Sequence, residues 1–383
     1  MISRRSLLAG ALAGVSLAWA GPAWAAPRRP RLVVVLVRGG WDALSVVPPV
    51  GDAAYAAVRA GLALDEALPF DERFGLHPAL AAVASWAPEG MLAAVHAVGL
   101  PRNERSHFDA QDVLEGGGPR PHALRTGWLG RALGASPCLA LGEALPLLLR
   151  GGGAAASLEP ARPDLGTEDF ADQVAALYED DRLLGPALAE ARRVRELVVD
   201  EGADGRSGRR ADPAARIGAL ASLMVAPGGP DVGVVEIGGF DTHAQQGTTA
   251  GALARRLAGL ADGLASLREA LGHAWGQTAV LLVSEFGRTA RPNGTGGTDH
   301  GTAGVCLVAG GALVGAGGGR VLGPWPGLEA LHDGRDLAAR TDLRAVFKAT
   351  LHHHLGVDRA RVDDVAFPES AGVPILDGLF RPR

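Results

Sequence analysis

The sequence predicts an α/β protein in which helices cover both faces of a doubly wound, mostly parallel sheet. Short apolar runs, rich in Val or Leu and ending at glycine or polar residues, recur along the chain. Such runs are typical of strands that are buried on both faces. Helical patterns separate the runs, and this alternation indicates parallel strands joined by crossovers. At 383 residues the chain is long enough to bury a large core.

Five runs are predicted as strands, and segments between them as helices. The predicted strands are LVVVLV (32–37), MLAAVHAV (91–98), DVGVVEI (231–237), TAVLLVS (278–284) and GVCLVA (304–309). The predicted helices cover 77–87, 107–117, 170–199, 214–225, 251–275 and 341–356. We expect the last helix to begin after Thr341 as its N-cap and to stop at Gly356. The glycine-rich segment 308–327 is predicted to form a hairpin or meander near the sheet edge.

The first 25 residues are predicted to be a secretory signal. Arg4 and Arg5 precede an apolar stretch, and Ala23, Trp24 and Ala25 form a small-x-small end with a cut after Ala25. The arginine pair resembles the twin-arginine export signal, although an ordinary signal with a chance arginine pair would look the same. No other apolar stretch is long and uncharged enough to span a bilayer. We therefore expect a periplasmic or secreted protein that contacts the twin-arginine translocase during export and keeps no stable membrane span after cleavage.

The mature chain is predicted to be acidic and to form a single domain over residues 26–383. Removal of the signal leaves 35 basic residues, two fewer than the full chain's 37, against 42 acidic residues. Proteins that bind nucleic acid usually carry a basic excess, so we expect no nucleic-acid partner. Two cysteines, Cys138 and Cys306, exclude a disulfide framework or a Cys-rich zinc site. The helix-rich segment 119–230 could form a helical cap insertion.

Polar side chains follow the ends of the predicted strands. In open α/β sheets, ligands bind at the carboxyl ends of the strands. The groups at these ends are Arg38 and Asp42, then Ser106, His107 and Asp109, then Asp241 and His243, then Ser284, Glu285 and Arg288, and finally Asp299 and His300. No run is compelling alone, but the agreement of four strand ends predicts one site at one edge of the sheet.

The residue types at this edge indicate a divalent metal site. The predicted metal ligands are Asp42, Asp241, His243, Glu285, Asp299 and His300. Imidazoles favour Zn²⁺ or Mn²⁺, with Mg²⁺ or Ca²⁺ left open, and two ions could clamp the attacking and leaving oxygens of a displacement. The predicted catalytic residues are Ser106, as a metal-activated nucleophile, with His107 and Arg288. Arg288 or Arg38 could hold a pair of phosphate or sulfate oxygens.

Each assignment has a simpler alternative. Asp42 could cap a helix that begins at Ala43, and Ser106 could cap the helix over 107–117. Glu285 could be an ion-pair partner of Arg288. The remaining pairs, Asp241 with His243 and Asp299 with His300, could be ordinary turn or loop pairs. The run His352, His353 and His354 is more consistent with a solvated helix end than with a metal cluster, because consecutive helical residues point in different directions.

Several motifs together resemble a known family. They are LVVVLVRGGWDALSVVPPVGDAAYAAVR, FGLHPAL, VHAVGLPRNERSHFDAQDVLEGG, GWLGRAL, VVEIGGFDTHAQQG, SEFGRTARPNGTGGTDHG and WPGL. This set resembles the bacterial exported family known as domain of unknown function 1501, from about residue 31 to residue 356. That family is similar to the alkaline phosphatase and sulfatase superfamily. The resemblance implies an alkaline phosphatase-like sheet and a metal-dependent ester hydrolase site.

The resemblance carries over to single residues. It places Asp42 near the superfamily's first acidic position, displaced by an inserted RGGW, and Ser106 at the nucleophile-like helix start. Asp241 and His243 resemble the third-strand pair, and Asp299 and His300 the late pair. Glu285 stands where the superfamily usually has an Asp-His pair. The Cys-x-Pro-x-Arg motif of sulfatases is absent, because LAL follows Cys138, so conventional sulfatase chemistry is not expected.

The sequence thus predicts an exported metal-dependent hydrolase of phosphate or related esters, acting on a small-molecule or polymer substrate. The alternative is a non-catalytic exported binding protein that retains the hydrolase fold. A redox enzyme is disfavoured, because the chain has neither a dinucleotide fingerprint nor a haem motif.

Overall fold

The computed structural model describes residues 29–142, 144–158, 212–226, 228–313 and 320–380. The predicted signal over residues 1–25 and the predicted helix over 170–199 lie outside these ranges, and the segment 119–230 is described only in part. Within these ranges, no helix has both the length and the apolar character that a membrane crossing requires.

Nine of the described strands form one mixed sheet, and two short strands form a separate ribbon. In chain order the strands are β1 Arg31–Val37, β2 Leu68–Pro69, β3 Gly75–Leu76, β4 Leu92–Gly99, β5 Cys138–Leu141, β6 Ala155–Leu158, β7 Val232–Ile237, β8 Thr278–Val283, β9 Gly304–Ala309, β10 Arg320–Leu322 and β11 Thr341–Asp342. The order in the sheet is β10-β4-β9-β8-β1-β7-β5-β6, with β11 beside β4, and β2 pairs with β3. All five predicted strands are confirmed, whereas β5, β6, β10 and β11 of the main sheet and β2 and β3 of the ribbon are additions.

Only β9 runs against its neighbours, and the other pairings in the main sheet are parallel. The predicted doubly wound, mostly parallel sheet is therefore confirmed. Strand β10 lies at the sheet edge, as predicted for the segment 308–327. It pairs with β4 rather than with β9, so the described residues of this segment do not form a hairpin.

The described α-helices connect these strands. They are α1 Ala43–Val46, α2 Tyr55–Arg59, α3 Ala81–Ala84, α4 His107–Gly116, α5 Trp128–Leu133, α6 Pro213–Val225, α7 Ala252–Leu271 and α8 Leu343–Ala349. A π-helical turn, Thr350–His354, continues α8. The N-cap of α8 is Asp342, whose carboxylate accepts from the backbone N–H of Arg344. The predicted cap, Thr341, belongs to β11 instead.

Side chains of β1 alternate between two separate cores. Val33 and Val35 pack with residues of α6 and α7 on one face, and Leu32 and Val34 pack with residues of α5 and α8 on the other. All four are fully buried. This alternation follows from the two-residue period of a strand, and it explains why the run is apolar at every position. Helices cover both faces of the sheet, as the sequence predicts.

Strand directions bring the polar segments to one edge of the sheet. Strands β1, β4, β7 and β8 run the same way, so their carboxyl ends lie together. Because β9 runs the opposite way, its first residue, Gly304, lies at that same edge, opposite Val98 of β4. The loop that precedes β9 therefore reaches the edge at which the other four strands end.

A buried histidine in β4 is held in its neutral form. The Nε2 atom of His96 lies 3.1 Å from the carbonyl oxygen of Val47, and its Nδ1 accepts the N–H of Ala97 at 2.8 Å. The ring stacks on Phe74 and meets Trp325 edge-on. Burial lowers the pKa of His96 from 6.5 to about 4. A second proton on the ring would break the bond to Ala97 and place a charge in the core.

We expect His96 to make the fold acid-sensitive. Because the folded pKa lies below the unfolded value, the unfolded chain binds a proton first, so stability is full above pH 6.5 and falls as the pH drops towards 4. The loss attributable to this residue is about 3 kcal/mol at most. Urea unfolding of wild type and His96→Gln from about pH 7 to pH 4 measures it. His273→Gln, at an exposed position, is the control and should lose as much unfolding free energy on acidification as wild type does. If His96→Gln also lost as much as wild type, or if His273→Gln lost as little as His96→Gln is expected to lose, this assignment would be contradicted.

Candidate metal centre

Three imidazole rings and one carboxylate converge at this edge of the sheet. His107 opens α4, Asp241 and His243 follow β7, and His300 precedes β9. The Oδ1 atom of Asp241 lies 3.1 Å from Nε2 of His243 and 3.2 Å from Nε2 of His300. Its Oδ2 atom lies 3.4 Å from Nε2 of His107. Ligand atoms of His107, Asp241 and His300 all lie within 4.8 Å of one another. We call these four residues the Asp241 cluster.

The outer nitrogen of each ring is held by an oxygen atom of the protein. The contacts are His107 Nδ1 to Glu285 Oε1 at 2.8 Å, His243 Nδ1 to Asp299 Oδ1 at 3.0 Å, and His300 Nδ1 to the carbonyl oxygen of Arg105 at 2.8 Å. Carboxylate and carbonyl oxygens only accept, so the proton is assigned to Nδ1 in each ring. The three Nε2 lone pairs then face the Asp241 cluster, as in metal-binding histidines supported by a second layer of acceptors.

Two of these lone pairs face each other at close range. The Nε2 atoms of His243 and His300 are 3.0 Å apart. Two acceptor lone pairs at this distance repel unless a proton or a cation lies between them. With the Nδ1 protons already committed to Asp299 and to a backbone carbonyl, the side chains of His107, Asp241 and His300 could hold a divalent cation, and Nε2 of His243 lies 3.0 Å from Nε2 of His300.

Glu285 supports His107 from behind. Its side chain is fully buried, and its Oε1 accepts from Gln111 Nε2 at 3.1 Å and from the backbone N–H of Gly39 at 2.9 Å in addition to His107. Burial alone would raise the pKa of Glu285, but hydrogen bonds from its own N–H, His107, Gln111 and Gly39 hold that pKa below its ordinary value. The predicted ligand Glu285 is thus an ionised acceptor that orients His107.

Arg288 lies behind Asp241 with its side chain fully buried. Its Nη1 donates to Asp241 Oδ1 at 2.6 Å and to the carbonyl of Gly39 at 3.2 Å, and the rest of the guanidinium bonds Thr298. Burial would raise the pKa of Asp241, but the hydrogen bond and charge of Arg288, together with His243 and His107, lower it. The donors predicted to hold a substrate oxyanion are directed at the protein instead.

Gly39 lets the loop after β1 pack directly against this group. Its φ is +116°, a region that disfavours side chains. A Cβ atom there would lie 2.4 Å from the backbone nitrogen of Asp241. The glycine therefore contacts two of the residues that support the cluster. Its N–H donates to Glu285, and its carbonyl oxygen accepts from Arg288.

Asp299 supports His243 at the opposite side of the cluster. The amide of Asn293 donates to Asp299 Oδ1 at 3.0 Å and to the carbonyl of His243 at 2.8 Å. The hydrogen bond from Asn293 is the largest of the influences that lower the pKa of Asp299; burial opposes it and His243 adds to it. Asp299 is half exposed, with 47% of its side chain accessible. It was predicted as a ligand, and its Oδ1 contacts the ring of His243.

Ser106 and Asp42 both occupy the capping positions named as alternatives. Ser106 is the exposed N-cap of α4, with Oγ 3.5 Å from the N–H of Asp109. Asp42 caps α1 at Leu44 and is buried. Its Oδ2 contacts Ser45, Gln246 and Arg59. Gln246 in turn accepts from Thr298, which also bonds Arg288. Among the described contacts, Asp42 reaches Arg288 through Gln246 and Thr298 but touches no member of the Asp241 cluster, and the Ser106 side chain touches none either. The remaining predicted metal ligands and catalytic residues belong to the cluster or contact it.

Besides Gly39 and Thr298, three participants were not predicted from the sequence. Gln111 stands four residues after His107 in α4, so the two share one helix face, and this spacing is a signal that could have revealed it. Asn293 lies in the loop between β8 and β9 without a helix or strand period to mark it. The carbonyl oxygen of Arg105 has no sequence signal, because every residue carries one.

The profile of the family described as protein of unknown function (DUF1501) matches residues 73–365. The chain belongs to this family. A search of curated proteins gives no match to this DUF1501 chain.

Solved structures give distant matches. The DUF1501 chain is similar to the C-terminal periplasmic domain of EcEptC from Escherichia coli in complex with Zn, at 11% identity over 74% of this chain and 73% of that chain, with a TM-score of 0.35. It is similar to phosphonoacetate hydrolase from Sinorhizobium meliloti 1021, at 14% identity over 68% and 57%, with a TM-score of 0.33. It is also similar to the lipoteichoic acid synthase LtaP from Listeria monocytogenes, at 8% identity over 89% and 75%, with a TM-score of 0.34.

Proposed function

We propose that this chain is an exported, metal-dependent hydrolase of phosphate or related esters. The metal ligands in this proposal are His107, Asp241, His243 and His300. One observation carries it: the Nε2 atoms of His243 and His300 lie 3.0 Å apart while acceptor oxygens hold both Nδ1 protons. The exported location and the twin-arginine route remain predictions from residues 1–25, which lie outside the described residues.

The donor set favours a particular ion. Three imidazole nitrogens and one carboxylate suit Zn²⁺ first and Mn²⁺ second, whereas Mg²⁺ and Ca²⁺ prefer oxygen donors. Glu285 and Asp299 each use one carboxylate oxygen to accept a hydrogen bond from a histidine ring. Because these oxygens are then not available as ligands for a second ion, we assign one ion to the Asp241 cluster. When bound, that ion would supply Lewis-acid stabilisation of the charge that develops on the ester oxygens.

The residues of the chain have separate roles in this proposal. Ser106 is the nucleophile, since its exposed hydroxyl precedes His107 directly and is held only by a 3.5 Å contact. Arg288 fixes Asp241 in place and keeps it ionised. Glu285 and Asp299 accept from the Nδ1 atoms of their histidines, which orients the rings so that Nε2 is aimed at the cluster.

A second function is favoured by the burial of Arg288. The guanidinium of Arg288 donates to Asp241, Thr298 and Gly39. It therefore has no pair of N–H donors directed at a position where a transferred phosphoryl group could bind. A non-catalytic exported binding protein that keeps a metal at this edge is consistent with that arrangement. Ser106→Ala separates the two: it abolishes turnover in a hydrolase and leaves partner binding intact in a binding protein.

We expect protein purified from its native host to contain about one equivalent of zinc or manganese per chain and to hydrolyse an aryl phosphate or related ester. Elemental mass spectrometry measures the metal, and release of p-nitrophenol measures turnover. His273→Gln, at an exposed position outside the cluster, is the matched control and keeps both. A folded protein with no stoichiometric metal, inert towards aryl phosphate monoesters, diesters and sulfate esters, would overturn the proposal.

A further inference from the structure

His300 contacts every other member of the Asp241 cluster. Its ring meets that of His107 edge-on, with ring centroids 4.4 Å apart, and its centroid lies 4.8 Å from that of His243. Its Nε2 atom is 3.2 Å from Oδ1 of Asp241. A rotation of this one ring would therefore change the geometry of the whole cluster, so the groups that fix His300 matter for any ion bound there.

Two adjacent residues of the loop between β10 and β11 reach the groups that fix His300. The ring's Nδ1 donates to the carbonyl oxygen of Arg105 at 2.8 Å, and the side chain of Arg105 donates through Nη2 to Oδ2 of Asp336 at 2.7 Å. The preceding residue, Arg335, donates through Nη2 to the backbone carbonyl oxygen of His300 at 2.9 Å. One loop thus contacts His300 directly at its main chain and indirectly through the acceptor of its ring.

Backbone hydrogen bonds fix this part of the loop, which we call the 332–336 turn. The N–H of Asp336 donates to the carbonyl of His332 at 2.9 Å, and the N–H of His332 donates back to the carbonyl of Asp336 at 2.8 Å. The N–H of Ala290 donates to the carbonyl of Arg335 at 3.0 Å. Ala290 lies two residues after Arg288, whose side chain donates to the carboxylate of the cluster. The turn is therefore attached to a segment that already supports the cluster.

The ion pair of Arg105 and Asp336 is poorly suited to a purely stabilising role. The side chain of Asp336 is 0% exposed. Its Oδ1 atom and Nε of Arg105 are buried without a hydrogen-bond partner among the described residues, and Nε of Arg335 is 3.9 Å from Oδ1. Burial of a carboxylate is costly unless both oxygens are bonded, and a buried ion pair often stabilises no more than packed apolar side chains. A role in fixing the loop before α4 accounts for a charge at this position.

We propose that Arg335 and Asp336 are positioning residues for the metal ligand His300. Asp336 acts through Arg105, whose carbonyl oxygen accepts the ring's Nδ1 proton, and Arg335 acts on the main chain of the ligand. This role rests on the proposed metal centre. Asp333 also faces Arg105, at 3.7 Å, but it is 65% exposed. Solvent screens such a pair, so Asp333 contributes little to the position of the loop.

Titration of the full-length, metal-free protein with Zn²⁺ in competition with a chromophoric chelator tests the effect on the centre. Asp336→Asn keeps the shape of the side chain and removes its charge, and Arg335→Gln removes the donor to the His300 carbonyl. Each should weaken Zn²⁺ affinity about tenfold or more, as expected for loss of a supporting group. Asp333→Asn makes the same charge change at the exposed end of the turn and should leave the affinity unchanged. Arg335 is 40% exposed, so Arg335→Gln should fold even if Asp336→Asn does not.

The ring of His300 supplies a second measurement that needs no metal. In metal-free protein labelled with ¹⁵N-histidine, the Nδ1 proton of His300 is assigned by its loss in His300→Gln. Its exchange with water should be at least about fivefold faster in Asp336→Asn and in Arg335→Gln than in wild type and Asp333→Asn, because its hydrogen bond to the carbonyl of Arg105 is weakened.

For either residue, unchanged proton exchange or unchanged Zn²⁺ affinity in the folded variant would overturn the positioning role. An equal effect of Asp333→Asn would also overturn it, since any charge change in the turn would then suffice. Wild-type protein that binds no Zn²⁺ would instead refute the metal centre, and the exchange measurement would still decide whether the 332–336 turn positions His300.

Discussion

Replacement of Asp241 by Asn should release the metal and lower ester hydrolysis by more than about 100-fold, because loss of a direct ligand exceeds the 10–100-fold effect of losing a supporting residue. Asp241 supplies the negative charge that the three Nε2 atoms approach, between 3.1 and 3.4 Å. An amide of the same shape removes that charge and turns an NH₂ group towards the ligands or towards Arg288. Elemental analysis and p-nitrophenol release measure the two losses.

The variant also leaves Arg288 without its charged partner, so folding must be checked separately by circular dichroism. Asp333→Asn is the matched control: this carboxylate lies 3.7 Å from Arg105 and is 65% exposed, outside the Asp241 cluster. It should keep both metal and activity. If Asp241→Asn retained a full equivalent of metal in a folded protein, the proposed ligand set would be wrong.

Replacement of Arg59 by Met should lower the free energy of unfolding by about 3–5 kcal/mol, because it leaves a buried carboxylate without its counter-ion. The side chains of Arg59 and Asp42 are 0% and 1% exposed. Burial raises the pKa of Asp42, but Arg59 and hydrogen bonds from Gln246 and Ser45 more than offset this and lower it. Urea unfolding at neutral pH measures the loss.

The double variant Asp42→Leu/Arg59→Met removes the stranded charge and should recover part of that loss. Asp42→Asn, which keeps the shape of the side chain, should lower stability while metal content per folded chain is unchanged. Loss of metal in Asp42→Asn would show that Asp42 contributes to the metal centre after all. A double variant no more stable than Arg59→Met would contradict the buried ion pair as the cause.

The sheet could be predicted because buried strands carry a sequence signal. Runs such as LVVVLV are apolar at every position since both faces of β1 are covered. The short strands β5, β6 and β10 have three or four residues each and give too little pattern to recognise. The reversed direction of β9 also has no local signature, because direction is set by which neighbours it pairs with.

The membership of the site could be predicted better than the roles within it. Acidic and imidazole groups at strand ends point to a metal, but a carboxylate that would bind an ion and one that orients a histidine are the same residue type. Only the structure shows that Oε1 of Glu285 faces His107 and that Oδ1 of Asp299 faces His243. Arg288 likewise has a guanidinium suited to binding an oxyanion, but in the structure it is fully buried and donates to Asp241.

One of the three imidazoles depends on the main chain. The acceptor for Nδ1 of His300 is the backbone carbonyl oxygen of Arg105. A substitution at position 105 therefore changes the side chain but does not remove this acceptor. Substitutions at Glu285 and Asp299 can adjust the basicity of the other two rings. In the proposed metal centre, evolution therefore has two adjustable positions for tuning metal affinity, while the third ring responds only to a shift of the loop before α4.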